Sequence, residues 1–375
     1  MIQPVSITSL ASLSPLGHDR ETVEAAYFKG TPCFTKFDGN WQARLQPQGC
    51  DVLAAIRQDA RYRQLDRSVL MAIEVSRRAV AEAGWKNGNF GINFGSSRGA
   101  TALFEQHHAE FLATGKSPVL ASPTTTLGNI SSWVSHDLQS TGPEISHSIT
   151  CSTALHAVLN GIAWIGSGMS DRFLVGGSEA PLTPFTLAQM QAMKIYSKDD
   201  GPFPCRALDL EKQRNTMILG EGAAACTLEA GRKTDALAVI TGIGYATEPL
   251  KHATSLSADA TCFQRSMTMA LGNHPQPVDA IVMHAPGTIA GDMSEFRAIR
   301  NVFENRMPAL TTNKWQTGHT FGASGLLSLE MALMMLHRQK WLGSPFLHQQ
   351  PEKLERILVN AVGFGGNAVS VLVEV

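Results

Sequence analysis

The chain has 375 residues, 43 % hydrophobic and 17 % charged, with 33 glycines, a composition suited to a large α/β protein with an extensive core. A formal net charge of -1 and an isoelectric point near 6.9 exclude any global attraction for nucleic acid or an anionic membrane. The six cysteines form no CxxC pair, the start Met1-Ile2-Gln3-Pro4-Val5 has no basic-then-apolar leader, and no apolar run is long enough for a bilayer; the expectation is a reduced, cytoplasmic chain without a metal.

In chain order, residues 5–10 predict a first strand, followed by a turn at Ser14-Pro15-Leu16-Gly17 and a helix capped at Asp19. The weak polar pattern of residues 37–61 predicts an irregular surface excursion. Apolar residues at three- and four-residue spacing from Leu65 to Gly84 predict a strong helix, and residues 90–99 an inner strand ending in a glycine/serine turn. Residues 104–112 read as a short helix or lid. Its neighbours His107 and His108 point in different directions on a helix and have no third ligand, so they are solvated side chains rather than a metal site. A helix at 126–134 and the turn Thr141-Gly142-Pro143 lead into a strand that carries Cys151. Residues 172–179 and 219–229 predict strands. The poorly periodic stretch between them, 181–213, is long enough to be expected over a site.

The polar linker Gly231-Arg232-Lys233-Thr234-Asp235 divides the chain into halves 1–233 and 234–375. The second half predicts strands at 236–245, 278–283 and 309–312, and helices at 258–271, 293–303 (capped by Asp292) and 325–338. It ends in an antiparallel pair at 357–362 and 369–375. Strands and helices thus alternate in both halves, which implies two α/β units meeting over one site.

Three stretches carry chemistry. In Ser148-Ile149-Thr150-Cys151-Ser152-Thr153-Ala154 a β-branched run stops at a cysteine and a small-residue helix begins, so free N–H groups and the helix dipole favour a Cys151 thiolate. In Met283-His284-Ala285-Pro286-Gly287-Thr288 a histidine follows an apolar strand directly. In Thr312-Asn313-Lys314-Trp315-Gln316-Thr317-Gly318-His319 a lysine and a histidine lie five residues apart before a buried helix. Each alone has an ordinary structural reading; a cysteine at a helix start with two histidines at strand ends points to nucleophilic catalysis.

Taken together these stretches resemble the β-ketoacyl-acyl-carrier-protein synthases of the thiolase superfamily. The resemblance extends over nearly the whole length: Ser14-Pro15-Leu16-Gly17, Leu65-Asp66-Arg67, Thr150-Cys151-Ser152, His284 eight residues before Asp292, Lys314 with His319, and Gly363-Phe364-Gly365-Gly366. It implies a thiolase fold, with two pseudo-symmetric βαβαβαββ halves in a five-layer α-β-α-β-α sandwich that dimerises through an edge strand of the first half. It implies that Cys151 accepts an acyl group from the phosphopantetheine arm of an acyl carrier protein, with the oxyanion held by the Cys151 and Phe364 amides. His284 and His319 would stabilise the enolate formed when a malonyl thioester loses carbon dioxide, Lys314 would supply positive charge, and Thr288 would hydrogen-bond pantetheine. No bound cofactor beyond the carrier's phosphopantetheine is implied, and Arg61, Arg63 and Arg67 offer positive charge for an acidic carrier.

The chain departs from that pattern at Pro286, where the family has threonine, and at Ser328, where it has the glutamate that pairs with the lysine. The segment 206–217 is longer by two residues and has Met217 in place of an aromatic, and Asn367-Ala368 replaces Thr-Asn. An intact Cys-His-His set in an altered frame suggests a specialised condensing enzyme of fatty-acid-like, polyketide or aryl polyene elongation. The alternative is a ketosynthase-like chain-length factor that shapes the acyl tunnel in a heterodimer.

Overall fold

The computed structural model describes residues 3–86, 88–249, 256–272, 276–304 and 306–375. Up to residue 230 the chain runs β1 (Val5–Leu13), α1 (Arg20–Lys29), β2 (Thr35–Phe37), β3 (Asn40–Gln42), α2 (Pro47–Arg57), α3 (Arg67–Glu82), β4 (Gly91–Gly95) and α4 (Thr101–Thr114). It continues through α5 (Ala121–Thr125), α6 (Asn129–Leu138), β5 (Glu144–His147), α7 (Thr153–Gly166), β6 (Arg172–Glu179), α8 (Pro184–Ala192) and β7 (Gly222–Ala230). Beyond residue 237 come β8 (Ala238–Thr247), α9 (Thr261–Leu271), β9 (Ala280–Val282), α10 (Ile289–Val302), β10 (Ala309–Thr311), α11 (Lys314–Thr317), α12 (Ser324–Arg338), β11 (Arg356–Val362) and β12 (Asn367–Glu374).

Two five-stranded sheets result, ordered β1-β7-β6-β4-β5 and β8-β12-β11-β9-β10. In each, the first two neighbouring pairs are antiparallel and the last two parallel, so the second sheet repeats the first strand for strand. The repeat makes β5→α7 and β10→α12 equivalent corners. One carries Cys151 and the other carries Lys314 and His319.

Strand alternation divides the side chains of the two sheets among three core clusters. Phe173 and Val175 of β6, Cys226 and Leu228 of β7, Ile357 and Val359 of β11 and Val369, Val371 and Val373 of β12 point inward, where α7 and α12 fill the space between the sheets. Their sequence neighbours Leu174, Ala223 and Ala225 face α3 and α6 on one outer surface. Leu358 and Leu372 face α9 and α10 on the other. The five layers are therefore the α-β-α-β-α sandwich the sequence implied. Among the described residues, edge strand β5 has only β4 beside it.

Most expected elements are present, and four differ. Residues 37–61 are not an irregular excursion: they hold the β2–β3 hairpin and α2, whose buried stripe Gly49, Leu53 and Ile56 is visible only when a glycine is counted as core. The stretch 181–213 contains α8, capped by Thr183, whose side chain accepts from Thr186 N at 3.2 Å. Helix α10 starts earlier than expected because Thr288, not Asp292, is its N-cap. Finally, β5 ends at His147, so Cys151 lies in the turn beyond the strand.

The outer layer over the second sheet is set by close approach. A Cβ on Gly244 of β8 would lie 1.9 Å from Ser266 O and 2.6 Å from Ala270 N of α9. Gly244→Ala is expected to lower the urea midpoint by an amount equivalent to about 2 kcal/mol; an unchanged midpoint would show that α9 can be displaced freely.

Candidate active site

Cys151 sits in a strained corner between β5 and α7. Thr150 has φ 47°, unusual for a β-branched residue, and is fixed by Thr153, whose Oγ1 donates to Thr150 O at 2.6 Å and accepts from Ile149 N at 2.9 Å. Cys151 is 3 % exposed, and burial pushes its thiol up to about 12; nearby Glu179 adds to the rise, while Lys314 and the Cys151 amide oppose it. The thiolate expected from the helix dipole is therefore not the resting form. Burial outweighs the dipole, and the corner holds a neutral thiol.

His284 follows β9, and its loop is organised by one carboxylate. Glu295 of α10 accepts from His284 N and Ala285 N at 2.9 Å each and from Asn360 Nδ2 at 3.2 Å. Asp292 accepts from Gly287 N at 2.9 Å and is ion-paired with the buried Lys212 at 2.6 Å. His319 is tied to the other half of the chain: its N–H donates to Ile218 O at 2.7 Å and its carbonyl accepts from Gly220 N at 3.1 Å. The two imidazoles meet edge to face with centroids 5.1 Å apart. Burial holds both well below the usual histidine range, with Lys314 adding to each shift, so both rings are neutral near pH 7 and each keeps one N–H.

Cys151, His284 and His319 line one cavity of about 390 Å³, together with Met217, Pro286, Thr288, Gly363 and Phe364. Thr288 has its side-chain oxygen on Gly291 N at 3.1 Å as the α10 cap, and Pro286 beside it has no N–H to offer. Lys314 is 1 % exposed and its Nζ makes no hydrogen bond among the described residues; burial lowers it to about 8, against the pull of Glu295 and Cys151. Ser328 Oγ is likewise unpartnered, and Glu330 turns away to accept from Ser12 Oγ at 2.6 Å, so Lys314 lacks the direct partner that the family glutamate would give it. Phe364 differs from expectation. Its amide donates to Thr150 Oγ1 at 3.0 Å instead of standing free toward the cavity.

Comparison with known proteins fits this geometry. Residues 3–234 match the family model "Beta-ketoacyl synthase, N-terminal domain" and residues 237–348 match "Beta-ketoacyl synthase, C-terminal domain". The chain belongs to the β-ketoacyl synthase family. A 3-oxoacyl-[acyl-carrier-protein] synthase 2 of Coxiella burnetii is 27 % identical over 96 % of this chain and 96 % of its own. The protein of the same description from Staphylococcus aureus strain N315 is 26 % identical over 98 % and 97 %. Among solved structures, a β-ketoacyl synthase from Burkholderia phymatum superposes with a TM-score of 0.85 at 22 % identity, and the ishigamide ketosynthase/chain length factor with 0.84 at 20 %. Each covers 100 % of this chain and 99 % of its own. These neighbours share the thiolase fold, and both relatives are 3-oxoacyl-[acyl-carrier-protein] synthases by their printed names.

In this β-ketoacyl synthase the sequence reading missed the supporting carboxylates. Glu179, at the end of β6, accepts from Ser97 N at 2.7 Å, Gly322 N at 3.0 Å and Arg98 N at 3.1 Å, joining the turn after β4 to the His319 loop. Burial raises Glu179 and Glu295 each to about 7 despite these donors. The only sequence signal for them is an acid in an otherwise apolar or glycine-rich run. Arg67 is not free for a carrier protein, since it pairs with Glu221 through two bonds of 2.7 and 3.0 Å, and Arg61 pairs with Asp59. Among the described residues no group of His, Cys, Asp and Glu could hold a metal, and no helix is long and apolar enough to cross a membrane.

Because the thiol is raised and thiolate is the reactive form, alkylation of Cys151 by iodoacetamide is expected to climb about tenfold per pH unit between roughly pH 6 and 9. A plateau below about pH 8 would mean an activated thiolate instead. Glu295→Ala leaves the His284 and Ala285 amides unpaired and is expected to cost about 2–4 kcal/mol in thermal or urea unfolding; a stability within error of the parent would dismiss its role as the anchor of that loop.

Proposed function

We propose that this chain is a β-ketoacyl-acyl-carrier-protein synthase that performs decarboxylative Claisen condensation in fatty-acid-like or polyketide/polyene elongation. The observation that carries the reading is the single cavity shared by a buried cysteine and two neutral histidines in a member of this family. Cys151 Sγ attacks the carbonyl of an acyl thioester on the phosphopantetheine arm of an acyl carrier protein. The sulfur–carbon bond to pantetheine breaks, and the Cys151 proton leaves with the departing thiol. The tetrahedral oxyanion takes the Cys151 and Phe364 amides.

A malonyl thioester then enters along Thr288. The malonyl carboxylate leaves as carbon dioxide, the pair of the broken carbon–carbon bond passes into an enolate, and the enolate oxygen is held by the N–H groups of His284 and His319. Neutral imidazoles suit that task because each donates a hydrogen bond without losing its proton. Lys314 supplies positive potential through the dry site rather than by contact. The enolate carbon attacks the acyl carbonyl, Cys151 is expelled as a thiolate that takes a proton from solvent, and the product is a β-ketoacyl thioester.

The reading places the chain in the cytoplasm, with no bound cofactor beyond the carrier's arm. Its units would be 1–233 and 234–375, pairing with a copy of itself or a homologous ketosynthase through the open edge of β5. One solved relative is described as a type II polyketide synthase acyl-carrier protein in complex with its ketosynthase, consistent with a carrier-protein partner here. The raised Cys151 thiol, the proline at 286 and the occupied Phe364 amide favour one second reading, a chain-length factor that shapes the tunnel for a catalytic partner. Incubation with acyl carrier proteins of several chain lengths is expected to give an acyl mass adduct that is absent in Cys151→Ala. No adduct at any length, with product formed only through a co-expressed homologue's cysteine, would establish the chain-length factor instead.

A further inference from the structure

The turn joining β11 to β12 is seated on the residue that precedes the nucleophile. It is closed by Gly366 N donating to Gly363 O at 2.9 Å, which leaves the Phe364 N–H without a partner inside the turn. Thr150 Oγ1 accepts that N–H at 3.0 Å. The seating is tight: a Cβ on Gly363 would lie 2.0 Å from Thr150 Oγ1 and 2.6 Å from Ile149 O. Thr150 reaches this place only with φ at 47°, a conformation held by the bonds of Thr153.

We propose that the Thr150 hydroxyl is an internal stand-in for the substrate's carbonyl oxygen. It occupies the Phe364 amide while the cavity is empty and surrenders it to the thioester oxygen as Cys151 is acylated. The proposal rests on the reading above that the Cys151 and Phe364 amides form the oxyanion hole. An amide in a partly buried turn is costly to leave unpaired, so the hydroxyl stabilises the empty loop. The exchange then favours the tetrahedral state over the bound thioester, because an oxyanion accepts a stronger hydrogen bond than either a hydroxyl or a neutral carbonyl. As Sγ bonds to the carbonyl carbon, the π pair moves onto oxygen and takes the amide from Thr150. Collapse expels the pantetheine sulfur with the Cys151 proton. Thr150 touches no reacting atom and is a positioning residue.

Two Cys151 reactions separate this role from a structural one: acylation by hexanoyl coenzyme A, which develops an oxyanion, and alkylation by iodoacetamide, which does not. Both rates are measured by mass spectrometry on the full chain, for the parent, Thr150→Ser and Thr150→Val. Valine keeps the branched Cβ and removes the acceptor, so the ratio of acylation to alkylation is expected to rise about threefold to tenfold, while serine keeps the parent ratio. Thr150→Ala serves as a second acceptor-free variant, with the same expected direction, should valine fail to fold. A ratio in the acceptor-free variants at or below the parent's, or a shift in serine equal to theirs, overturns the proposal alone. Alkylation without any thioester adduct in the parent and every variant, from acetyl through palmitoyl coenzyme A, overturns the condensing-enzyme reading and the proposal with it.

Discussion

Desolvation governs this site. Cys151, His284, Lys314 and His319 are all below 5 % exposed, and for each of them burial is the first cause of a shift toward the neutral form. Two neutral histidines are the form that can donate to a developing enolate. A neutral thiol is the form least suited to attack. The same dry cavity therefore helps the second half of the proposed reaction and burdens the first, and Lys314 and the Cys151 amide are the features that offset the burden.

The supporting structure follows from the same constraint. Loops carrying buried polar side chains need their own backbone groups satisfied, and Glu179 and Glu295 do this by accepting backbone N–H groups next to the site. Glu179 joins the turn after β4 to the His319 loop, while Glu295 fixes the His284 loop against α10. Both lie outside the reacting set, yet both set where it points. The repeat of sheet order places Cys151 on one corner and Lys314 and His319 on its equivalent, so internal symmetry brings them to one cavity without a long connection.

Much of this was legible in the residues. Continuous apolar runs such as β6 and β11 announce themselves because both strand faces are buried, and helix α3 because one-sided burial imposes a period of 3.6. Cys151, His284, Lys314 and His319 stood out as polar groups at strand ends, and Ser328 correctly signalled a lysine without its direct partner. What escaped was contact-dependent. Helix α2 hides its stripe behind Gly49, α8 buries Thr186 with Leu187 and Met190 while leaving Phe185 exposed, and Glu295 gains its meaning only where α10 folds back on the His284 loop. The rise of the Cys151 thiol was missed for the same reason: a helix start is visible in sequence, whereas the depth of burial at that start is not.

The central claim is that this buried set forms a carbon–carbon bond. Purified protein incubated with an acyl thioester and malonyl-loaded acyl carrier protein is predicted to release carbon dioxide and give a β-ketoacyl product two carbons longer, seen by mass spectrometry. The product should be lost when His284 or His319 is replaced by alanine. Malonyl carrier consumed without any lengthened product, or no turnover at any acyl length from the chain alone, would contradict the account.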